Sequence, residues 1–305
     1  MSAHEGVRKL QWVGLVVLVA GILALLVTLV NQQREYRTAA QSAQAAQASA
    51  GSTAPDGNAP GGRESSAGAS ASPSASEAPS RSAAEDEDGT EDPVAAATAA
   101  ARDVVGGDED IVISVLGDST GDVSTEWVGR WAALLGEEAS VEMHSWNADE
   151  DRFYLQPRTY GSGERRITLY NGSPGDATPA DGLRHLEAMR PESVDLTLVN
   201  YGHRGTLDEL QEGLPGLLDA LTAGEDAAPV ALIAQNPATG DWEEQDARIR
   251  EAVRAEAAER DLPVIDVEGA FEDAGDLGPL LVDAIHPSEE GSLLWAETVH
   301  GVLTD

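Results

Sequence analysis

Short apolar runs rich in β-branched residues alternate with amphipathic stretches through the C-terminal part of this chain, and that alternation restricts its fold more than any other feature. IVISVL (111–116) ends at a glycine, as a buried strand does. STEWVGRWAALLGEE follows, with Trp127, Val128, Trp131, Leu134 and Leu135 at helical spacing and Ser124 or Thr125 placed to cap the helix. The pattern recurs in SVDLTLVNYG (193–202) before a helix from Thr206 to about Leu221, and in PVALIAQN (229–236) before a helix from about Trp242 to Arg260. LPVIDV (262–267) lies near the end, before a final helix from about Ser288 to Val302. Strands alternating with helices predict βαβ units, right-handed crossovers and a mainly parallel sheet, with a ligand beyond the carboxyl ends of the strands.

Two stretches fit that scheme less simply. VEMHSWN (141–147) is a candidate second strand, and RFYLQPRTYGSGERRITLYNG (152–172) reads as two strands joined by a YGSGER turn. An insertion is expected here, and residues 149–164 are the candidate lid or specificity segment.

The N-terminal part follows other rules. After a short tail (1–9), residues 10–31 form an expected transmembrane anchor, because the uncharged run from Leu10 to Val30 supplies the roughly 20 apolar residues that a bilayer core requires. A cleaved signal peptide is the competing reading, supported by a weak SAQA-type site at 42–45 but opposed by the length of the apolar core. Residues 32–95 are Ala, Ser, Gly, Pro and Gln followed by the acidic run EDEDGTED, a composition that buries too little surface to offset its ordering entropy. This segment is expected to be a disordered tether holding a folded domain (96–305) outside the membrane, with the lipid bilayer as partner only through the anchor.

Charge and composition narrow the chemistry. The chain of 305 residues carries a formal net charge of -35, a field that repels nucleic acid and other polyanions. It has no cysteine, so thiolate metal sites and cysteine nucleophiles are excluded. No His-x-x-x-His or Asp-x-Asp-x-Asp-Gly spacing suggests a metal, GSPG (172–175) lacks the residues of a phosphate loop, and no cofactor is expected.

A Gly-Asp-Ser is ordinary turn chemistry, and Ser119 reads either as a turn hydroxyl or as a nucleophile whose base lies elsewhere in the chain. Ser119, in SVLGDSTG, lies just past the first expected strand, and DAIHPSEEG places Asp283 three residues before His286. A serine needs an imidazole to take its proton, and the imidazole needs a carboxylate to fix its tautomer.

The Gly-Asp-Ser after the first strand, the small-residue loop YNGSPGDAT, the glycine-led loop in VNYGHRGT and Asp-x-x-His-Pro near the C-terminus, taken together, resemble the SGNH (GDSL-type) hydrolases over residues 110–303. The resemblance implies a flavodoxin-like three-layer α/β/α sandwich. It implies Ser119 as nucleophile, His286 as base and then acid, and Asp283 as its orienting group, acting on carboxylic esters of small molecules or glycans. It also implies the Ser119 backbone N–H and Gly172 as oxyanion donors. The family's third donor, an asparagine, falls at Arg204 here, and Gly205 replaces the following aspartate. Arg204 can donate hydrogen bonds through a longer side chain. Asp118, Asn171, Asn200 and His203 are candidate substrate contacts, since they flank these positions, whereas His144 and His185 read as ordinary strand and helix residues. The altered block also opens a second reading, an SGNH-fold domain that displays or binds glycans without efficient catalysis.

Overall fold

The computed structural model describes residues 92–191, 193–224 and 227–304. The expected anchor at 10–31 and most of the expected tether lie outside these residues. Among the described residues no helix is long and apolar enough to cross a membrane.

The chain enters the fold through a helix that the sequence reading assigned to the tether and the domain edge. Helix α1 (Pro93–Gly106) starts with a proline at its first turn and the Asp92 side chain accepting from the Val94 N–H, both favourable N-terminal features. Its alanine-rich sequence resembles linker composition, yet Ala101 and Val105 are buried and Arg102 Nε donates to the Val302 carbonyl. Tertiary packing makes this segment part of the domain.

Strand β1 (Ile111–Gly117), α2 (Trp127–Leu135) and β2 (Ser140–Asn147) come next. Two short strands, β3 (Arg152–Phe153) and β4 (Arg158–Gly161), precede β5 (Arg166–Gly172). Helices α3 (Pro179–Arg184) and α4 (Leu186–Met189), β6 (Leu196–Asn200), α5 (Leu207–Leu221) and β7 (Val230–Ala234) continue the chain. It closes with α6 (Glu243–Glu259), β8 (Val264–Asp266), α7 (Val267–Ala274) and α8 (Glu289–Thr304).

The sheet order is β3-β2-β5-β1-β6-β7-β8, with β4 also paired to β2. All pairings are parallel except those of β3 and β4 with β2. β5 lies between β1 and β2: its register runs Leu116 opposite Gly172 on one side and Ser145 opposite Asn171 on the other. One expectation changes here. β4 and β5 do not form a hairpin, since β2 separates them. Gly161 at φ 66°, in the left-handed region, turns the chain where an added Cβ would meet the Gly136 carbonyl oxygen at 2.0 Å, so the backbones pack too closely for a side chain.

Each face of the sheet is covered by its own apolar cluster, which makes the three layers. On one face Ile113, Val115 and Leu169 pack with Trp127 and Trp131 of α2, Phe271 of α7 and Trp295 of α8. Trp127 and Trp295 stack with ring centroids 5.7 Å apart. On the other face Leu116, Val199 and Leu232 pack with Met189 of α4, Leu214 of α5 and Ile249 of α6. The full burial of β6 and β7 on both faces explains why they read as continuous apolar runs.

Helix starts match the capping chemistry at α5, where Thr206 and Glu209 form a reciprocal capping box. At α2 neither Ser124 nor Thr125 caps. Glu126 takes the N-cap position without a side-chain capping bond, because its carboxylate turns back to the Val123 N–H at 3.1 Å.

Candidate active site

The parallel strands deliver three loops to one edge of the sheet: that after β1 (118–126), that after β6 (201–206), and the segment before α8 (282–288). Ser119 sits in the first and His286 in the third. Ser119 Oγ lies 3.1 Å from His286 Nε2, and His286 Nδ1 lies 2.8 Å from Asp283 Oδ2. The i, i+3 spacing works through a tight turn: Asp283 Oδ1 accepts from the backbone N–H groups of Ile285 at 2.9 Å and His286 at 2.7 Å, leaving Oδ2 for the ring. Although partial burial pushes the Asp283 carboxyl up, the two backbone donors and the imidazole outweigh it and hold the group below the usual carboxylate range. It is therefore a fixed anion beside the ring.

The segment carrying His286 is held from a neighbouring strand. Asn236, just past β7, donates from Nδ2 to the Ile285 carbonyl at 3.1 Å, and the Thr239 N–H donates to the Ala284 carbonyl at 2.8 Å. Sequence reading missed both residues; a polar QN pair ending a fully apolar strand was the available signal.

The four candidate substrate contacts are all buried and engaged in internal hydrogen bonds. Asp118 is a hub, with Oδ2 accepting from the backbone N–H groups of Gly202 at 3.1 Å and His203 at 3.2 Å, and Oδ1 accepting from the Thr120 hydroxyl at 2.9 Å. Gln235 Nε2 donates to the same carboxylate, at 3.0 Å to Oδ2. Asn171 Nδ2 donates to the Gly121 carbonyl at 2.7 Å, and Asn200 Nδ2 donates to the Thr120 hydroxyl at 3.0 Å. His203 has Nδ1 2.8 Å from Asp246 Oδ1 and Nε2 3.1 Å from Asn236 Oδ1, and burial pushes its pKa down. These side chains fix the loop around Ser119 and tie it to the loops after β6 and β7. Their polar character comes from the need to pair buried backbone and side-chain groups.

Two proposed oxyanion donors also need revision. Gly172 is the last residue of β5, paired across from Leu116; a Cβ there would meet Met189 Sδ at 3.1 Å and the Val115 carbonyl oxygen at 3.2 Å, so close packing accounts for the glycine. Gly175 lies beyond the strand and closer to the serine loop, since a Cβ on it would stand 2.8 Å from Asp122 Oδ2. Arg204 is on the rim with its guanidinium 2.7 Å from Asp176 Oδ1, both side chains more than half exposed. One of its five N–H donors is directed to that carboxylate.

Asp122 and Glu126, neither singled out from sequence, form a hydrogen-bonded carboxyl pair beside the site. Burial pushes both up, Glu126 to about 8, where the Asp122 charge adds to the effect, while the hydrogen bond from Glu126 partly offsets the rise at Asp122. His286 lies near enough to pull Asp122 the opposite way.

A cleft of about 890 Å³ opens beside this pair, between Asp122 to Ser124 on one side and the β2–β4 insertion on the other.

No family model matches the chain, and no curated protein matches it. It is similar to several solved structures. One is an acetylxylan esterase from Geobacillus stearothermophilus, at 16% identity over 66% of this chain and 96% of that one, with a TM-score of 0.49. Another is a lipase/acylhydrolase from Enterococcus faecalis, at 18% identity over 62% and 93%, with a TM-score of 0.46. A third is a member of the lipolytic protein G-D-S-L family from Veillonella parvula, at 15% identity over 63% and 97%, with a TM-score of 0.46.

Proposed function

We propose that this chain is a serine ester hydrolase of the SGNH type working through an acyl-enzyme. The observation that carries the reading is the unbroken hydrogen-bonded series from the Asp283 carboxylate through the His286 ring to the Ser119 hydroxyl. Ser119 Oγ attacks the ester carbonyl and passes its proton to His286 Nε2. His286 then gives that proton to the departing alkoxide, leaving the acyl group on the serine. Water attacks the acyl-enzyme with its proton going to His286, the acid leaves, and the serine regains its proton. The Asp283 carboxylate steadies the imidazolium in both halves.

The oxyanion is assigned to the backbone N–H of Ser119 and to the loop at Gly175, in place of Gly172. With Arg204 turned to Asp176, the hole has two donors. Loss of one donor costs on the order of 10²- to 10³-fold in rate, so a slow enzyme is expected. The same ion pair favours the second reading, a glycan-binding domain without useful turnover. We further propose that the domain is displayed outside a membrane on the anchor and tether of residues 10–91, which lie outside the described residues.

Treatment with a fluorophosphonate followed by intact-protein mass measurement tests the central claim. Labelling on Ser119 that is abolished in Ser119→Ala and strongly reduced in His286→Ala is expected. Absence of labelling together with absence of p-nitrophenyl acetate turnover favours the binding domain.

A further inference from the structure

We infer that the cleft between the serine loop and the β2–β4 insertion is the subsite for the alcohol portion of the substrate, a neutral O-acylated saccharide, with Tyr154 and Arg158 as its specificity-determining residues. The inference rests on the esterase reading above.

Position supports it first. Asp122, Val123 and Ser124, which line the cleft, belong to the same loop after β1 that carries Ser119. A group bound in the cleft therefore lies against the loop that holds the nucleophile. The volume of about 890 Å³ suits a ligand of a few sugar rings, being near the upper end of the roughly 300–1,000 Å³ of small-molecule sites.

The lining selects the class. Ser145 and Asn147 from the end of β2, with Gln156 from the β3–β4 connection, present neutral hydrogen-bonding groups that suit hydroxyls and would be left unpaired by a long acyl chain. Tyr154 and Leu155 are 55% and 82% exposed at the same cleft, although apolar surface of that size costs free energy when left in water. A flat tyrosine ring covers the C–H face of a sugar while its hydroxyl stays wet.

Charge completes the argument. Arg152 is ion-paired with Glu150, whereas the Arg158 side chain, on β4 opposite Met143, makes no ion pair or side-chain hydrogen bond among the described residues. Its planar fork of donors is free to meet ring and hydroxyl oxygens. The strongly acidic chain disfavours a polyanionic ligand, so the saccharide is neutral.

Two measurements on the full-length chain test this. In Ser119→Ala, calorimetric titration with O-acetylated xylotetraose should show binding, weakened at least tenfold by adding Tyr154→Ala and largely retained with Tyr154→Phe. In the otherwise unaltered chain, the ratio of kcat/KM for acetylated xylotetraose to that for p-nitrophenyl acetate should fall about tenfold in Tyr154→Ala and threefold or more in Arg158→Ala, mainly through KM. An unchanged ratio in both variants overturns the proposal, as does a preference for p-nitrophenyl octanoate that vanishes in Tyr154→Ala, which would make the cleft an acyl-chain site. Saccharide binding that depends on Tyr154 without serine labelling or turnover keeps the subsite and removes the esterase. Labelling and turnover without saccharide affinity do the reverse.

Discussion

Ser119 Oγ and His286 Nε2 stand 3.1 Å apart across a sequence separation of 167 residues, and a single turn sets the imidazole that joins them. Asp283 performs that setting with both carboxylate oxygens, one on the ring and one on two backbone N–H groups. Asp283→Asn separates these duties. The amide oxygen can still accept from the backbone, so the turn survives, but the amide nitrogen faces Nδ1 and drives the ring proton to Nε2. The ring then presents an N–H to Ser119 where a lone pair is needed. A fall in kcat of about 10³- to 10⁴-fold, with the thermal midpoint nearly unchanged, is expected from p-nitrophenyl acetate kinetics and a melt. A variant that keeps more than a tenth of the parental rate would remove Asp283 from the mechanism.

Arg204, expected from the sequence resemblance to stand where a side-chain donor is needed, has its guanidinium on Asp176 at the exposed rim. An exposed ion pair contributes roughly 0–1 kcal/mol. Arg204→Ala should therefore change kcat less than about threefold and the stability by no more than about 1 kcal/mol. A tenfold or greater drop in kcat at constant KM would show that the arginine leaves Asp176 and serves the transition state. Arg204→Asn is the companion variant, since a gain in kcat would mark the hole as short of a donor.

The strands, the parallel sheet and the three residues of the series Asp283–His286–Ser119 were legible because each rests on local signals: a β-branched run, a terminal glycine, a fixed i, i+3 spacing. The position of β5 between β2 and β1 was not, because both runs have the apolar character of inner strands and pairing is a non-local choice. For Gly172 the sequence does not distinguish the two uses, because a glycine required by Met189 and Val115 looks the same as one required by an oxyanion. Asn171, Asn200 and His203 were read as substrate contacts for a related reason. Buried polar residues that hold loops together share the composition of a site. The carboxyl pair of Asp122 and Glu126 left no sequence trace, since two acids four residues apart in an acidic chain are ordinary until burial couples them.

Gly172→Ala distinguishes the two uses of that glycine. The added methyl would meet Met189 Sδ at 3.1 Å and the Val115 carbonyl oxygen at 3.2 Å, and the backbone contact cannot move without disturbing the sheet. Overpacking of this kind costs about 1–3 kcal/mol. The thermal midpoint should fall while kcat of the folded protein stays within about threefold. A kcat loss of 10² or more at unchanged stability would return Gly172 to the oxyanion hole.

Glu126 carries the clearest pH signature. Burial and the neighbouring Asp122 carboxyl hold its proton in the folded state to about pH 8, whereas the unfolded chain releases it near 4.5. Between these values the folded state binds more protons than the unfolded state, so stability from this group is fully present below about pH 4.5 and is lost as pH rises through 8. Glu126→Gln keeps an acceptor for the Val123 N–H and a donor for Asp122, reproducing the protonated form without a titrating group. The variant should match the parent near pH 4.5 and exceed it increasingly up to about pH 8, with a constant advantage above. Thermal melts across that range read the difference directly. An equal offset at pH 4.5 and pH 8.5 would mean that Glu126 ionises in the folded protein as readily as in the unfolded one, and the raised proton affinity of Glu126 beside Asp122 would have to be abandoned.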